Sequence, residues 1–302
     1  MSNPSFNIAA VERDTGLSKD VLRMWERRYG FPVPERDANG ERSYPAAQVE
    51  RLRLIKRLMD MGHRPGKLLA MPEDDLATLA PRRPAARAAD GDDNGELASL
   101  LALVKQHDAP GYQRAMQQRL ARQGLQRFVQ DTVAPLTRRV GEAWEDGRFE
   151  VFEEHLFTEL TKRLVRQAIA GLPGATRGPR ILLTSVPDEA HVLGLLMAEA
   201  LFALEGAECI PLGTQMPVLE IGRAAIAHRA DIVGLSFSTA FPQRRIPALL
   251  QDLRALLPAP LHLWAGGSGV QRLTRIDGVR LLTSLDDALV ALGEWRAAAS
   301  AR

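Results

Sequence analysis

One histidine of this sequence stands where an apolar segment gives way to a helical one. His191 follows the acid Glu189 by two residues and precedes Gly194 by three, within PDEAHVLG. An imidazole at such a turn can belong to the core or cap a helix, act as a general base, or bind a metal. A base needs a nucleophile or substrate partner, and none stands out. A metal ligand needs its second ring nitrogen held by an acceptor, for which Glu189 has a suitable offset.

Two later strand ends carry small or hydroxyl-bearing residues. GLSFS contributes Ser236 and Ser238, and WAGGSG contributes Gly266 and Gly267. In an open parallel sheet, ligands bind beyond the carboxyl ends of the strands. A slot lined by these residues could hold a long ligand tail, and Gly194 would let a bulky planar ligand approach the backbone.

The elements that would position these residues follow from the apolar spacing. Residues 178–302 alternate short apolar runs with helical segments, which predicts a doubly wound parallel sheet. The five strand candidates are RILLTS, AECIPLG, ADIVGLSFS, LHLWAGG and VRLLTS. Residues 97–170 show helical spacing throughout, and three breaks predict a four-helix bundle. The breaks are Pro110-Gly111, Gly124 and Gly147.

The first 80 residues have the pattern of a DNA-binding domain. NIAAVERDTGLSKDVLRMWERRYG predicts two short helices around a tight turn, with Ser18 as the N-cap of the second. RDANGERSY contains an Asn-Gly hairpin signal and predicts a basic wing. A cationic second helix beside a wing is typical of proteins that bind the major groove. The candidate DNA-binding cations are Lys19, Arg23, Arg27 and Arg28 on the helix and Arg36 and Arg42 on the wing.

These patterns divide the chain into four parts. Residues 1–80 form the predicted winged helix-turn-helix. Residues 81–96, PRRPAARAADGDDNGE, have almost no bulky apolar side chain and predict a flexible linker. Residues 97–175 form the helical bundle, and residues 176–302 form the Rossmann-like α/β domain.

Composition excludes several classes of protein. The formal net charge is only +2, so binding to nucleic acid must depend on local patches. No apolar run approaches the roughly 18 residues of a membrane span. The single cysteine, Cys209, excludes disulfides within one chain, and we expect a core residue in a reducing cytoplasm.

Over residues 6–80 the sequence resembles the winged helix-turn-helix of MerR-family transcription regulators, most tellingly in LRMWERRYGF and GERSY. The resemblance implies that the second helix makes base and phosphate contacts, and that Arg36, Arg42 and Tyr44 hold the DNA backbone. Glu26 is expected to orient a neighbouring arginine, since phosphates would repel it. MerR proteins are generally dimers, so a homo-oligomer is expected.

The succession E-x-H-x-x-G, S-x-S and G-G resembles the cobalamin-binding Rossmann-like domain. This implies that His191 is the lower axial ligand of cobalt, and that the displaced dimethylbenzimidazole tail enters a slot between the serine strand and the glycine pair. The common motif has Asp in place of Glu189, and Leu or Val in place of Ser238. An acid for an acid preserves the hold on the histidine, and Ser238 is expected to alter the packing of the tail. A single protein ligand suffices because the corrin ring supplies the in-plane nitrogens.

In the bundle, nine residues separate Trp144 from the pair Glu154-His155. This spacing resembles the light-sensing MerR–cobalamin repressors of the CarH and LitR type. It implies adenosylcobalamin with these three residues over its upper group, tetramers on operator DNA, and repression that ends when light breaks the cobalt–carbon bond. In the best-known members a His directly follows the Trp, where this chain has Glu145. A stable light product with two histidine ligands is therefore not expected.

Three other functions fit parts of the sequence. A cobalamin sensor independent of light would need the same lower ligand. A cofactor-free MerR-type regulator would keep the fold alone. A cobalamin enzyme would need a substrate barrel or a methyl-donor domain, and the predicted domains already use the 302 residues. No enzymatic activity is therefore expected.

Overall fold

Helices packed on a small antiparallel sheet form the N-terminal unit of the protein. The computed structural model describes residues 5–301 except 16, 37–39, 61–62, 80–91 and 176. The sheet has the order β1-β3-β2, with β1 at Ser5–Asn7, β2 at Glu35–Arg36 and β3 at Arg42–Pro45. The helices are α1 (Ile8–Thr15), α2 (Lys19–Tyr29), α3 (Ala46–Asp60), α4 (Pro65–Leu69) and α5 (Glu73–Leu79).

Local signals set the limits of the predicted DNA-reading helix. Ser18 is the N-cap of α2, and its side chain accepts a hydrogen bond from the Val21 amide, as predicted. Gly30 ends the helix in the left-handed conformation, with φ of 68°. The side chains of Leu22 and Trp25, on one face of the helix, are buried. Strand β1 was not predicted, and Asn39 of the wing turn lies outside the described residues.

Four helical segments follow, as the breaks in the sequence predict. They are α6 (Asp92–Lys105), α7 (Ala109–Arg127), α8 (Ala134–Glu145) and α9 (Val151–Ala170). The predicted linker is too long at its C-terminal end, because residues 92–96 belong to α6. Glu96 of this stretch pairs with the buried Arg119 on α7, and Leu97 directly after it is buried. Residues 81–91 lie outside the described residues.

The second break in the bundle is a distortion within a helical run. Gly124 has φ of 74° inside α7, a value that favours glycine. A π-helix, Phe128–Val133, then joins α7 to α8 and buries four of its six residues. The break therefore bends the chain without separating the two helices by a loop.

The C-terminal part is a five-stranded parallel sheet with helices between its strands, which confirms the predicted α/β class. The strands are β4 (Arg180–Thr184), β5 (Glu208–Gly213), β6 (Ile232–Ser236), β7 (His262–Gly266) and β8 (Val279–Leu282), in the order β5-β4-β6-β7-β8. The helices are α10 (Leu193–Leu204), α11 (Val218–Ala227), α12 (Ile246–Leu256) and α13 (Leu285–Ser300). The order reverses between β4 and β6, and in open parallel sheets ligands bind at the carboxyl ends of the strands at such a point.

Helix α10 links the bundle to the sheet. Its residues Leu196 and Ala200 belong to the apolar core of the bundle, whereas Leu195 and Phe202 belong to a core beside the sheet. The loop that carries His191 leads directly into this helix. Bundle and sheet therefore belong to one compact unit, residues 88–144 with 149–302, separate from residues 1–87 with 145–148. No helix among the described residues is long and apolar enough to cross a membrane.

Candidate functional site

His191 projects from the loop after β4 with one ring nitrogen held. Its Nδ1 lies 2.7 Å from Oε1 of Glu189, and its backbone amide donates to the same oxygen at 3.0 Å. The Glu189 side chain is 1% exposed, whereas that of His191 is 58% exposed. A hydrogen on Nδ1 places the ring's lone pair on Nε2, which is the state of a histidine that binds a metal.

The Glu189 carboxylate is also held from the neighbouring strand. The Ser238 amide donates to Oε2 at 2.7 Å, and the Ser238 hydroxyl donates to the same oxygen at 2.9 Å. Burial alone would raise the pKa of Glu189, but the hydrogen bonds from His191 and Ser238 outweigh it, and the pKa lies below its ordinary value. The hydroxyl of Ser238, which the sequence assigned to the ligand tail, therefore contacts the acid behind the histidine.

The predicted small residues meet at the same edge of the sheet. A Cβ atom on Gly194 would collide with Oγ of Ser236, and a Cβ atom on Gly267 would collide with the carbonyl oxygen of Phe237. Gly267 also has φ of 96°. Gly266 has ordinary room for a Cβ atom, 3.5 Å from the nearest atom, so its packing does not require glycine. The start of α10 and the ends of β6 and β7 approach each other closely only because these side chains are absent.

Sequence reasoning missed Ser185, the buried last residue of RILLTS. Its hydroxyl donates to the backbone carbonyl of Glu189 at 2.5 Å and accepts the amide of Gln215 at 2.9 Å. It thus joins the loops after β4 and β5. Arg245 similarly joins the loop after β4 to the start of α12, with Nη1 3.0 Å from Oδ2 of Asp188. The sequence signal that could have identified Ser185 is a hydroxyl at the end of a predicted strand. The contact between Arg245 and Asp188 gives no such signal, because the two residues are 57 positions apart.

The three residues predicted in the bundle occupy two consecutive helices. Trp144 lies in the last turn of α8, is half-buried, and packs against the bundle core. Glu154 and His155 lie in the first turns of α9. Glu154 accepts a hydrogen bond at 2.8 Å from the hydroxyl of Thr158, and His155 is exposed.

The cations predicted to bind DNA are mostly exposed on α2. Arg23, Arg27 and Arg28 are exposed, and Lys19 is half-buried with Nζ 3.5 Å from Glu12. Arg36 on the wing is exposed as well. Their common exposure is compatible with contact to phosphate and bases.

The wing differs from the prediction at one residue and agrees at another. Tyr44 is 0% exposed and its hydroxyl is buried, so the expected contact with the DNA backbone is wrong for this structure. β3 is the central strand, and its Tyr44 side chain packs in the apolar core of the unit. Glu26 accepts a hydrogen bond from Nε of Arg42 at 2.9 Å, which confirms its predicted role of orienting an arginine.

Comparison with known families identifies two segments of the chain. Residues 6–68 match the model of the MerR HTH family regulatory proteins, and residues 96–169 match that of the B12 binding domain. The HTH-type transcriptional repressor CarH of Myxococcus xanthus is 31% identical over 275 residues, which cover 90% of this chain and 91% of that protein. The chain belongs to the family of CarH, the MerR-type regulators with a B12-binding domain.

Further similarities agree with this membership. The HTH-type transcriptional repressor CarA of Myxococcus xanthus is 28% identical over 270 residues, 88% of each chain. A monomethylamine corrinoid protein of Methanosarcina barkeri has a TM-score of 0.53 and 15% identity, over 67% of this chain and 99% of that one, which shows the fold. As a member of the CarH family, the chain is a DNA-binding, cobalamin-binding transcriptional regulator.

The residues of this CarH-family member fit a corrin. No cluster of three or more His, Cys, Asp or Glu side chains among the described residues could hold a metal ion by itself. A corrin brings its own in-plane nitrogens, so His191 with Glu189 behind it is a sufficient protein contribution. At Gly194 and Gly267 the backbone is packed too closely against Ser236 and Phe237 to admit a side chain.

Proposed function

We propose that this regulator is a light-responsive repressor that holds adenosylcobalamin between its helical bundle and its parallel sheet. The observation that carries the proposal is the buried Glu189 carboxylate, 2.7 Å from Nδ1 of the exposed His191. An ionised buried acid is costly unless it is well paired, and its position here favours one tautomer of one exposed imidazole. Such an arrangement serves a metal ligand better than a helix cap.

On the lower face, three residues act in sequence. His191 would hold the cobalt of cobalamin through Nε2, Glu189 keeps the hydrogen on Nδ1, and Ser238 holds Glu189 from beyond the end of β6. Ser236, Gly266 and Gly267 line the slot for the nucleotide tail. Oγ of Ser236 lies directly against Gly194 at the start of α10.

On the upper face, Trp144, Glu154 and His155, here called the upper-face trio, would cover the adenosyl group. When bound, adenosylcobalamin would supply a cobalt–carbon bond that light can break. The role of the chain is to enclose the adenosyl group in the dark and to change its own packing when that group is gone. Since α10 contributes to the core of the bundle and to the core beside the sheet, a shift of the bundle reaches the sheet through one helix.

The output is binding to operator DNA. The exposed arginines of α2 contact the groove and the phosphates, and a homo-oligomer brings several such heads to one operator. Dark tetramers therefore bind tightly through avidity, and their dissociation in light ends repression. The regulated quantity is the population of the oligomer.

The test is a spectrum combined with a measurement of DNA binding. Purified full-length protein is mixed with adenosylcobalamin in the dark, and its absorption spectrum, oligomer mass and operator affinity are measured before and after green light. The proposal predicts a His-on spectrum, a large dark oligomer and loss of DNA affinity on illumination. Parallel samples contain hydroxocobalamin or no cofactor.

The same measurements distinguish the alternatives. Equal operator affinity in dark and light, but higher affinity with cobalamin than without it, indicates a sensor independent of light. Equal affinity in all samples, without a bound-cobalamin spectrum, indicates a cofactor-free regulator. Either result rejects light-responsive repression.

A further inference from the structure

A buried carboxylate lies in the bundle outside both faces of the proposed cofactor site. The side chain of Glu153, on the first turn of α9, is 4% exposed. Its Oε2 lies 2.7 Å from Nζ of Lys105, the last residue of α6, and its Oε1 lies 3.4 Å from Nε2 of His107. The carboxylate thus joins the end of α6 to the beginning of α9.

The same carboxylate closes the connection between α8 and α9. Oε2 of Glu153 accepts the backbone amide of Glu150 at 2.8 Å and completes a capping box. Next to Glu150, the buried Phe149 donates its amide to the carbonyl of Ala143 at 3.0 Å. Nζ of Lys105 lies 5.4 Å from the centroid of the Phe149 ring. We name Lys105, Phe149, Glu150 and Glu153 the α8–α9 clamp.

The clamp contacts the backbone directly before Trp144 and directly before the Glu154-His155 pair. Ala143 immediately precedes Trp144, and Glu153 immediately precedes Glu154 and His155. The distance and angle between the tryptophan and the Glu-His pair therefore depend on this connection. Burying a carboxylate costs free energy, and here the Lys105 ammonium and a backbone amide offset it.

We propose that Glu153 is a positioning residue that fixes Trp144 relative to Glu154-His155, and thereby makes the bundle select a large upper group on the corrin. The inference rests on the proposed function and deepens it. The lower contacts of His191 are the same for every cobalamin. Discrimination between a bulky and a small upper group must therefore come from the bundle, and the clamp sets the shape of that surface.

The test compares two cobalamins on three forms of the full-length chain. Dissociation constants for adenosylcobalamin and hydroxocobalamin are measured in the dark for wild type, Glu153→Gln and Glu159→Gln. Glu159 is the matched control, because it lies on the same helix but is exposed and pairs with Lys162 one turn along. Glutamine keeps the size of the side chain and removes the charge that holds Lys105.

Glu153→Gln should weaken adenosylcobalamin binding about tenfold, the effect of losing one hydrogen bond to a charged group. Hydroxocobalamin binding should change less than twofold, and Glu159→Gln should change neither. Lys105→Gln should reproduce the selective loss, and the double variant should lose no more than either single variant, because both act through one contact.

A measurement without cofactor separates positioning from general damage. Amide hydrogen exchange across residues 149–156 should be faster in Glu153→Gln than in Glu159→Gln, while the exchange of β4 and β6 stays unchanged. Equal losses for both cobalamins, or an unchanged ratio of the two constants, would overturn the inference. A wild type that does not prefer adenosylcobalamin to hydroxocobalamin would instead reject the adenosyl part of the proposed function.

Discussion

The lower and upper faces of the proposed site differ in how firmly their residues are held. On the lower face, the Glu189 carboxylate is 1% exposed and receives hydrogen bonds from His191 and from both the amide and the hydroxyl of Ser238. These residues come from the ends of two strands, 49 positions apart. The rigid frame of a parallel sheet brings them together.

On the upper face, the trio belongs to two consecutive helices, α8 and α9. Glu154 accepts a hydrogen bond from its own helix, Trp144 is half-buried and His155 is exposed. The lower residues are thus fixed by direct hydrogen bonds from two loops, whereas the upper residues depend on the clamp that joins α8 to α9. Under the proposed function, the lower face retains the cofactor, and the upper face, shaped by the clamp, distinguishes which upper group is present.

The largest effect should separate the two histidines. His191→Ala should weaken adenosylcobalamin binding by about 100-fold or more, because it removes the metal ligand and leaves Glu189 buried without its partner. His155→Ala, on the exposed surface of α9, should cost less than about tenfold. Absorbance titration in the dark measures both constants. Equal losses for the two variants would show that the faces do not differ in this way.

The sequence predicted much of the fold, because the relevant signals are local. The five apolar runs became the five parallel strands, and Gly and Pro marked the breaks of the bundle. Ser18 caps the N-terminus of α2, as short-range capping rules predict. Strand β1 has only three residues and gave no periodic pattern, so it was not predicted.

Contacts between distant residues explain what the sequence did not show. The Glu189–His191 pair was predictable from its offset of two residues, but the contact of Ser238 with Glu189 depends on the register of β4 and β6. Tyr44 was assigned to DNA by the family resemblance, whereas in the structure its side chain packs in the apolar core of the N-terminal unit. The Lys105–Glu153 pair spans 48 positions and lies on no shared motif.

The next largest loss of binding is expected for Ser238. Its role can be distinguished from that of Ser236 by comparing two corrins. Ser238→Ala should weaken binding about tenfold both for cobalamin and for cobinamide, which lacks the nucleotide tail, since its hydroxyl acts through Glu189 and His191. Ser236→Ala should weaken only cobalamin binding, because its proposed contact is with the tail. In the His191→Ala background, Ser238→Ala should have no further effect. A Ser238 loss restricted to cobalamin would return this hydroxyl to the tail slot.

Glu145 tests whether the upper face can become as firm as the lower one. Glu145→His places an imidazole directly after Trp144, at the end of α8. Imidazole is a better ligand than carboxylate for this metal, so the illuminated variant should show the spectrum of two axial histidines and retain its corrin through gel filtration. The illuminated wild type should lack the two-histidine spectrum and should lose its corrin more readily than the variant. Two histidine nitrogens on cobalt in the wild type would reject this expectation and direct attention to His155.

The smallest expected effect is a pH-dependent change in stability that comes from Glu153 of the α8–α9 clamp. Burial raises the pKa of Glu153, but hydrogen bonds from Lys105, the Glu150 amide and His107 outweigh it, so the pKa in the folded protein lies below the ordinary value of 4.5. The charged form is therefore bound more favourably in the folded state. Its contribution is complete above pH 4.5 and is lost as the pH falls through the lower folded value.

Glu153→Gln lacks this titration, so it should unfold at a lower urea concentration than wild type at pH 7, by about 1 kcal/mol in stability. The difference should shrink as the pH falls below 4.5, because the wild type then loses its charged carboxylate and the variant has none to lose. Glu159→Gln, with its exposed pair, should follow the wild-type curve at every pH. Urea midpoints from circular dichroism at several pH values measure the three curves. A wild-type advantage that stays constant into acid would mean that Glu153 stabilises the clamp by shape alone, and that its charge does not hold the upper face.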